Sequence, residues 1–187
     1  MIKKISVISL FLLFVFTSCS STRTIRPVYL TNEKTISLLD LDCVGEPIDS
    51  YQLMTGSFEG HEEFTAEVLL QANENILALI MMTTTGQTIA EITYDGVMTT
   101  FESSFIPANA FKAEYVLADI QLAFYNEKEV EKELYESDLI FKYGEDNNGT
   151  FREIYDEGEL IWRCNSTVSH ISVINFLRKY NYEMEIL

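Results

Sequence analysis

The chain has 187 residues, and its 13 lysines and arginines face 29 aspartates and glutamates, a formal net charge of −16. So acidic a surface repels phosphate backbones, which excludes nucleic acid as a partner, and it is also repelled by anionic lipid headgroups. The length suits one domain with a core large enough to fold without disulfide staples.

In chain order, Met1-Ile2-Lys3-Lys4 is a short basic segment, followed by an uninterrupted apolar run over residues 5–16. This is the layout of a secretory signal, and the run is shorter than the roughly 20 apolar residues that span a bilayer. The small pair Thr17-Ser18 then precedes a cysteine, so Phe16-Thr17-Ser18-Cys19 resembles the lipobox of bacterial lipoproteins. The resemblance implies that residues 1–18 are removed, that Cys19 becomes the acylated mature N-terminus, and that the protein is tethered to a membrane. Lipoproteins of this kind carry more than one acyl chain, which makes a stable anchor where a single chain binds reversibly. Ser20 stands where an aspartate would imply inner-membrane retention, which favours the outer membrane. No acidic cluster follows Cys19, which favours a domain facing the periplasm. The plain alternative is a secreted protein in which Cys19 is incidental.

Residues 19–34 are polar with little periodicity and read as a lipidated tether, leaving residues 35–187 as a single domain. Ile36, Leu38, Leu39 and Leu41 fit either a short helix or a first strand. From Ser50 the pattern is strand-like. Phe64, Ala66, Val68 and Leu70 share one face, Asn73-Glu74-Asn75 turns, and residues 76–82 are apolar on both faces. Thr85-Gly86-Gln87 turns again into Ala90, Ile92 and Tyr94 on one face, and Asp95-Gly96 is a strong hairpin signal.

Pro107 ends the alternation. Asn109 is a candidate N-cap for a helix over residues 110–125, rich in apolar positions, and residues 126–135 form a second, polar helix. Strands resume at Asp138, turn at Asn147-Asn148-Gly149 and at Glu157-Gly158, and end with two more over residues 169–176 and 180–186. About ten strands interrupted once by helices, with no βαβ spacing, predict a mainly β fold: a curved antiparallel sheet whose concave face a helix covers.

Three segments bear on family: Met54-Thr55-Gly56-Ser57-Phe58-Glu59-Gly60, then Thr84-Thr85-Gly86-Gln87-Thr88-Ile89-Ala90 running on to Tyr94-Asp95-Gly96, then Leu117-Ala118-Asp119-Ile120-Gln121-Leu122-Ala123-Phe124. In this order they resemble an uncharacterised family of bacterial outer-membrane lipoproteins associated with aryl-polyene and fatty-acid-like biosynthetic genes. That family is similar to the lipoprotein-localisation proteins LolA and LolB. The resemblance implies an incomplete antiparallel β-barrel lidded by helices, with an apolar cavity that binds or transfers a lipid-like or acylated molecule. It also implies a periplasmic carrier protein or acylated protein as a partner. It does not extend to inserting lipoproteins, because the loop Thr83-Thr84-Thr85-Gly86 lacks the large apolar residue that LolB uses.

The residues themselves offer little for catalysis, and no enzyme, cofactor or metal is expected. His61 and His170 are isolated, and neither HExxH nor paired-cysteine spacing occurs. Gly56-Ser57-Phe58-Glu59-Gly60 is not a nucleophile elbow, since the serine directly follows the first glycine and the site joins strands. Cys43 and Cys164 are compatible with a bridge or with two free thiols. The apolar excess at residues 76–82 points either to a second covering sheet or to a cavity. On the cavity reading, Leu79, Met81, Met82, Tyr94, Phe101, Phe124 and Trp162 are the candidate lining residues, the methionines being adaptable to ligands without fixed shape. The rival function is a structural or assembly lipoprotein that docks a protein partner without a ligand.

Overall fold

In the computed structural model, which describes residues 20–24, 27–58, 63–108 and 112–187, two-residue alternation becomes strand wherever it is strongest. The chain opens with β1 (Ser20–Thr24), a short pair β2 (Val28–Tyr29) and β3 (Thr35–Ile36), and a 3-10 turn at Leu41–Val44. A first meander follows: β4 (Ile48–Phe58), β5 (Phe64–Asn73), β6 (Ile76–Met82), β7 (Thr88–Tyr94) and β8 (Thr99–Ser103). Helices α1 (Ala113–Phe124) and α2 (Glu127–Glu136) lead to a second meander of β9 (Ile140–Asp146), β10 (Gly149–Asp156), β11 (Glu159–Ser166), β12 (His170–Asn175) and β13 (Tyr180–Ile186).

Among the described residues, eleven of these strands form one sheet in the order β1-β8-β7-β6-β5-β4-β13-β12-β11-β10-β9. Every neighbouring pair is antiparallel, and the two meanders join through their innermost strands, with Met54 opposite Met184. The outer strands β1 and β9 do not pair, so the sheet is not closed into a barrel.

The sheet is nevertheless curved, and a single helix proves it. α1 touches β7 and β8, while the Arg152 guanidinium on β10 donates to the Leu122 carbonyl at the far end of the same helix. In a flat sheet β8 and β10 would lie about 38 Å apart at the ordinary strand spacing, and α1 is only about 18 Å long. The sheet therefore wraps around α1. All but a few α1 side chains are buried, Leu117, Ala118, Ile120 and Leu122 among them, as befits a helix enclosed on several sides. α2 buries only Val130 and Leu134 and shows a charged face to water.

The ten expected strands and two helices are present, with α1 starting at Ala113, not near residue 110. Its expected cap Asn109 lies outside the described residues. One expectation needs revision. Where a free tether is expected over residues 19–34, Ser20–Thr24 instead pairs along β8, from Ser20 opposite Ser103 to Thr24 opposite Thr99. A bare β8 would show a row of unpaired amides and carbonyls, and a serine- and threonine-rich segment satisfies them. The next segment, residues 27–44, is a strap over the helices. The Gln121 side chain accepts from the Leu39 amide at 2.8 Å and donates to the Leu39 carbonyl at 3.0 Å. Lys34 donates to Asp156 at 2.6 Å, and the Ser37 amide donates to Glu133 at 2.6 Å. The open choice between helix and strand for Ile36 to Leu41 resolves into a two-residue strand followed by a 3-10 turn.

No second sheet covers the other face of β6 among the described residues. Leu77, Leu79 and Met81 face α1, while Ile76, Ala78, Ile80 and Met82 lie half-buried on the outer face.

Candidate functional site: an apolar cavity under the first helix

Packing between α1 and the sheet is incomplete at one end, leaving a cavity of about 240 Å³. Its helix wall is one stripe: Lys112, Tyr115, Val116, Asp119 and Ile120 recur at the three- and four-residue spacing that places side chains on a single face. Its sheet wall follows the two-residue rule, with Tyr180, Tyr182 and Met184 from β13 and Leu79 and Met81 from β6. Met54 and Phe64 complete it from β4 and β5. Gly56 lets Phe64 lie across β4: a Cβ at position 56 would stand 2.7 Å from the phenyl ring. A larger depression of about 490 Å³ lies elsewhere, but most of its lining residues are polar or charged, Asp156, Glu157 and Glu159 among them, so volume alone does not mark the site.

One carboxylate faces this apolar space. Asp119 is buried, accepts the Trp162 indole N–H at 2.9 Å on one oxygen and the Tyr180 hydroxyl at 2.5 Å on the other. Burial pushes its carboxyl up to about 6, against the opposing pull of those two donors and of the Arg178 charge. Burial also pushes the Tyr180 and Tyr182 hydroxyls upward, with the Asp119 charge adding to the effect, so both stay protonated at neutral pH. The two rings stack with centroids 6.4 Å apart, and Asn175 donates to the Tyr180 oxygen at 3.2 Å. Asp119 is thus a fixed polar strut between helix and sheet, with each oxygen engaged.

The rim is positively charged. The exposed Lys112 ammonium lies 5.2 Å from the centre of the Tyr115 ring, and the Arg178 guanidinium, from the turn before β13, lies 4.5 Å from it. Arg178 also donates to the Tyr29 carbonyl, and the Tyr29 amide donates to the Tyr115 hydroxyl at 3.3 Å. The strap therefore helps to fix the rim.

Of the residues singled out from the sequence, Leu79 and Met81 line this cavity. Met82 does not: it stands opposite Glu67 on the outer face. Tyr94 and Phe101 are buried on β7 and β8 in the packed core, the Tyr94 hydroxyl donating to the Gly96 carbonyl. Phe124 sits one turn beyond the cavity-facing stripe of α1, half-buried against the core. Trp162 is absent from the wall yet holds Asp119 in place. Cys19 and His61 lie outside the described residues. Cys43 and Cys164 are both free thiols, pushed up by burial to about 11 and about 12. Sequence reasoning missed the helix stripe around Asp119 and the tyrosine pair of β13. An acid inside the apolar run Leu117 to Phe124, and the alternation Tyr180, Tyr182, Met184, were the available signals.

Fold and site together define a class: an open, curved antiparallel sheet that wraps a buried helix and keeps an apolar cavity beneath it. The chain belongs to the family described as "Protein of unknown function (DUF3261)", whose model matches residues 49–187. No curated protein matches it. The family match begins at the second residue of β4, so the strap and β1 lie outside it.

Proposed function

We propose that this protein is a lipoprotein anchored through Cys19 at the periplasmic face of the outer membrane, which binds or transfers a lipid-like or acylated molecule through the cavity under α1. On this reading the fold is a LolB-like half-barrel with a helical lid, and the protein is a carrier with no catalytic step. The observation that carries the reading is the cavity itself: an interior packed throughout would offer an apolar chain no place. Burying a chain there is favourable by about 0.8 kcal/mol per methylene, the same driving force that the bilayer supplies on release. The curved open sheet and its helix cover support the half-barrel, and the sequence of residues 1–19 supports the anchor.

A second reading, docking of a protein partner without a ligand, draws on the outer face. There Tyr51, Leu69 and Ile80 lie side by side on adjacent strands, with Tyr51 36% and Leu69 39% exposed.

One pair of variants separates the two. Met81→Trp fills the cavity from β6 and abolishes uptake of a fluorescent fatty-acyl probe, whereas Met82→Trp, on the outer face, leaves uptake unchanged. Mass spectrometry of lipids that co-purify with the wild-type chain gives the parallel readout. Unchanged uptake by Met81→Trp, with nothing lipidic co-purifying, overturns the carrier and leaves the docking protein.

A further inference from the structure

Lys112 in the wall of an apolar cavity, and Arg178 against the Tyr115 ring of that wall, need a reason in a chain with a net charge of −16. Among the described residues Lys34, Arg152 and Arg163 each pair with a carboxylate within 4 Å, whereas Lys112 and Arg178, like Lys128, Lys132 and Lys142, form no such pair, and these two each lie against the Tyr115 ring. Contact with an aromatic ring tolerates a cation without neutralising it. Their remaining N–H donors are available to an anion: Lys112 has three, and Arg178 has those of its fork not engaged with the Tyr29 carbonyl.

We propose that the cavity takes a single-chain anionic amphiphile, with its carboxylate at the rim between Lys112 and Arg178 and its chain running inward along Ile120, Leu79 and Met184. This rests on the reading of the cavity as a ligand site and adds the headgroup, the chain number and the direction of entry. The chain number follows from size. At about 240 Å³ the cavity falls below the volumes of about 300–1,000 Å³ that hold drug-sized ligands, which leaves room for one chain and not for a diacyl lipid. The direction follows from charge. Asp119 faces the cavity from one helical turn further along the stripe than Tyr115, and its oxygens are already taken by Trp162 and Tyr180. A carboxylate pushed inward would meet that acid in an apolar setting, whereas at the rim it meets two cations and water. The planar guanidinium fork suits a carboxylate in particular.

Trp162 is the one tryptophan of the chain and is bonded to a cavity residue, so its fluorescence reports filling of the cavity. Titrating the full chain with dodecanoate, dodecanol and dodecyltrimethylammonium compares three headgroups on the same chain length. Dodecanoate should bind about fivefold more tightly than dodecanol, and the cation should bind worst. Added salt should erode the preference. The double variant Lys112→Gln, Arg178→Gln should bind dodecanoate and dodecanol alike while keeping the wild-type affinity for dodecanol. Lys112→Gln alone, which breaks no hydrogen bond among the described residues, should lose part of the preference even if Arg178→Gln loosens the Tyr29 segment. Equal binding of dodecanoate and dodecanol by the wild type, or a preference that survives the double variant, overturns the headgroup assignment and leaves the cavity as a neutral chain site. Failure of all three to bind overturns the ligand reading itself.

Discussion

At Asp119 burial and hydrogen bonding oppose each other. Losing water raises its proton affinity, the Trp162 and Tyr180 donors and the Arg178 charge lower it, and burial wins, with a result of about 6. Since the unfolded carboxyl titrates near its usual 3.8, the native state binds more protons across the interval between. The stabilisation from this group is therefore complete below about pH 4 and is lost as pH rises through about 6. Asp119→Asn keeps an oxygen to accept from Trp162 and removes the titration. Its stability relative to the wild type should therefore rise between pH 4 and pH 7, by no more than about 3 kcal/mol. Urea unfolding of both proteins across that range is the measurement, and parallel curves would contradict the burial argument. At the same scale, Gln52 on β4 is 1% exposed, and its carbonyl oxygen has no partner among the described residues. Gln52→Met should therefore raise the unfolding free energy by about 1 kcal/mol, because removing an unpaired buried acceptor outweighs the loss of its bond to Ser50.

Among the elements, α1 is the piece on which the others depend. Period-two alternation makes each strand locally legible, but a strand with one apolar face needs something to cover it, and α1 covers both meanders at once. The strap then covers α1 through the paired bonds between Gln121 and the Leu39 backbone. Gln121→Ala leaves that amide and carbonyl unpaired, at a cost of about 1–3 kcal/mol. Hydrogen exchange should speed up at Leu39 and its neighbours in the strap while strands β10 to β12 stay protected. Uniform loss of protection would mean that the strap and the sheet unfold as one unit. The strap was hard to read in advance because its strands are two residues long, shorter than any period can register, and its partners lie far away in the chain. The edge strand β1 was missed for a related reason: Ser20-Ser21-Thr22-Arg23-Thr24 has no apolar face, and only the vacant edge of β8 makes it a strand.

For the whole molecule, curvature places β7 and β8 on one side of α1 and β10, β11 and β13 on the other, so stability comes from wrapping and not from covalent staples. Cys43 and Cys164 are free, and burial holds both as protonated thiols. Reducing agent should leave the melting temperature unchanged, and Cys164 should resist alkylation until the protein unfolds, as read by intact mass. A melting point lowered by reductant would point to a bridge and to a different packing of β11.

What the sequence determined by itself is local. The positions of ten strands and two helices, the Asp95-Gly96 turn and the mainly β class follow from periods of two and 3.6 and from residues that tolerate turn geometry. None of these depends on a distant partner. Tertiary structure decided the faces. Met81 and Met82 are adjacent and chemically identical, yet one lines the cavity and the other looks outward, because the register of β6 against β5 and the seat of α1 fix which parity is covered. Tyr94 and Phe101 are as apolar as the cavity wall, yet they fall on strands where α1 packs tightly and no space remains. Lys112, Tyr115, Asp119, Arg178 and Tyr180 meet only after the last hairpin folds back against β4. A site assembled from residues far apart in the chain leaves no spacing to read, and only the folded sheet brings them together.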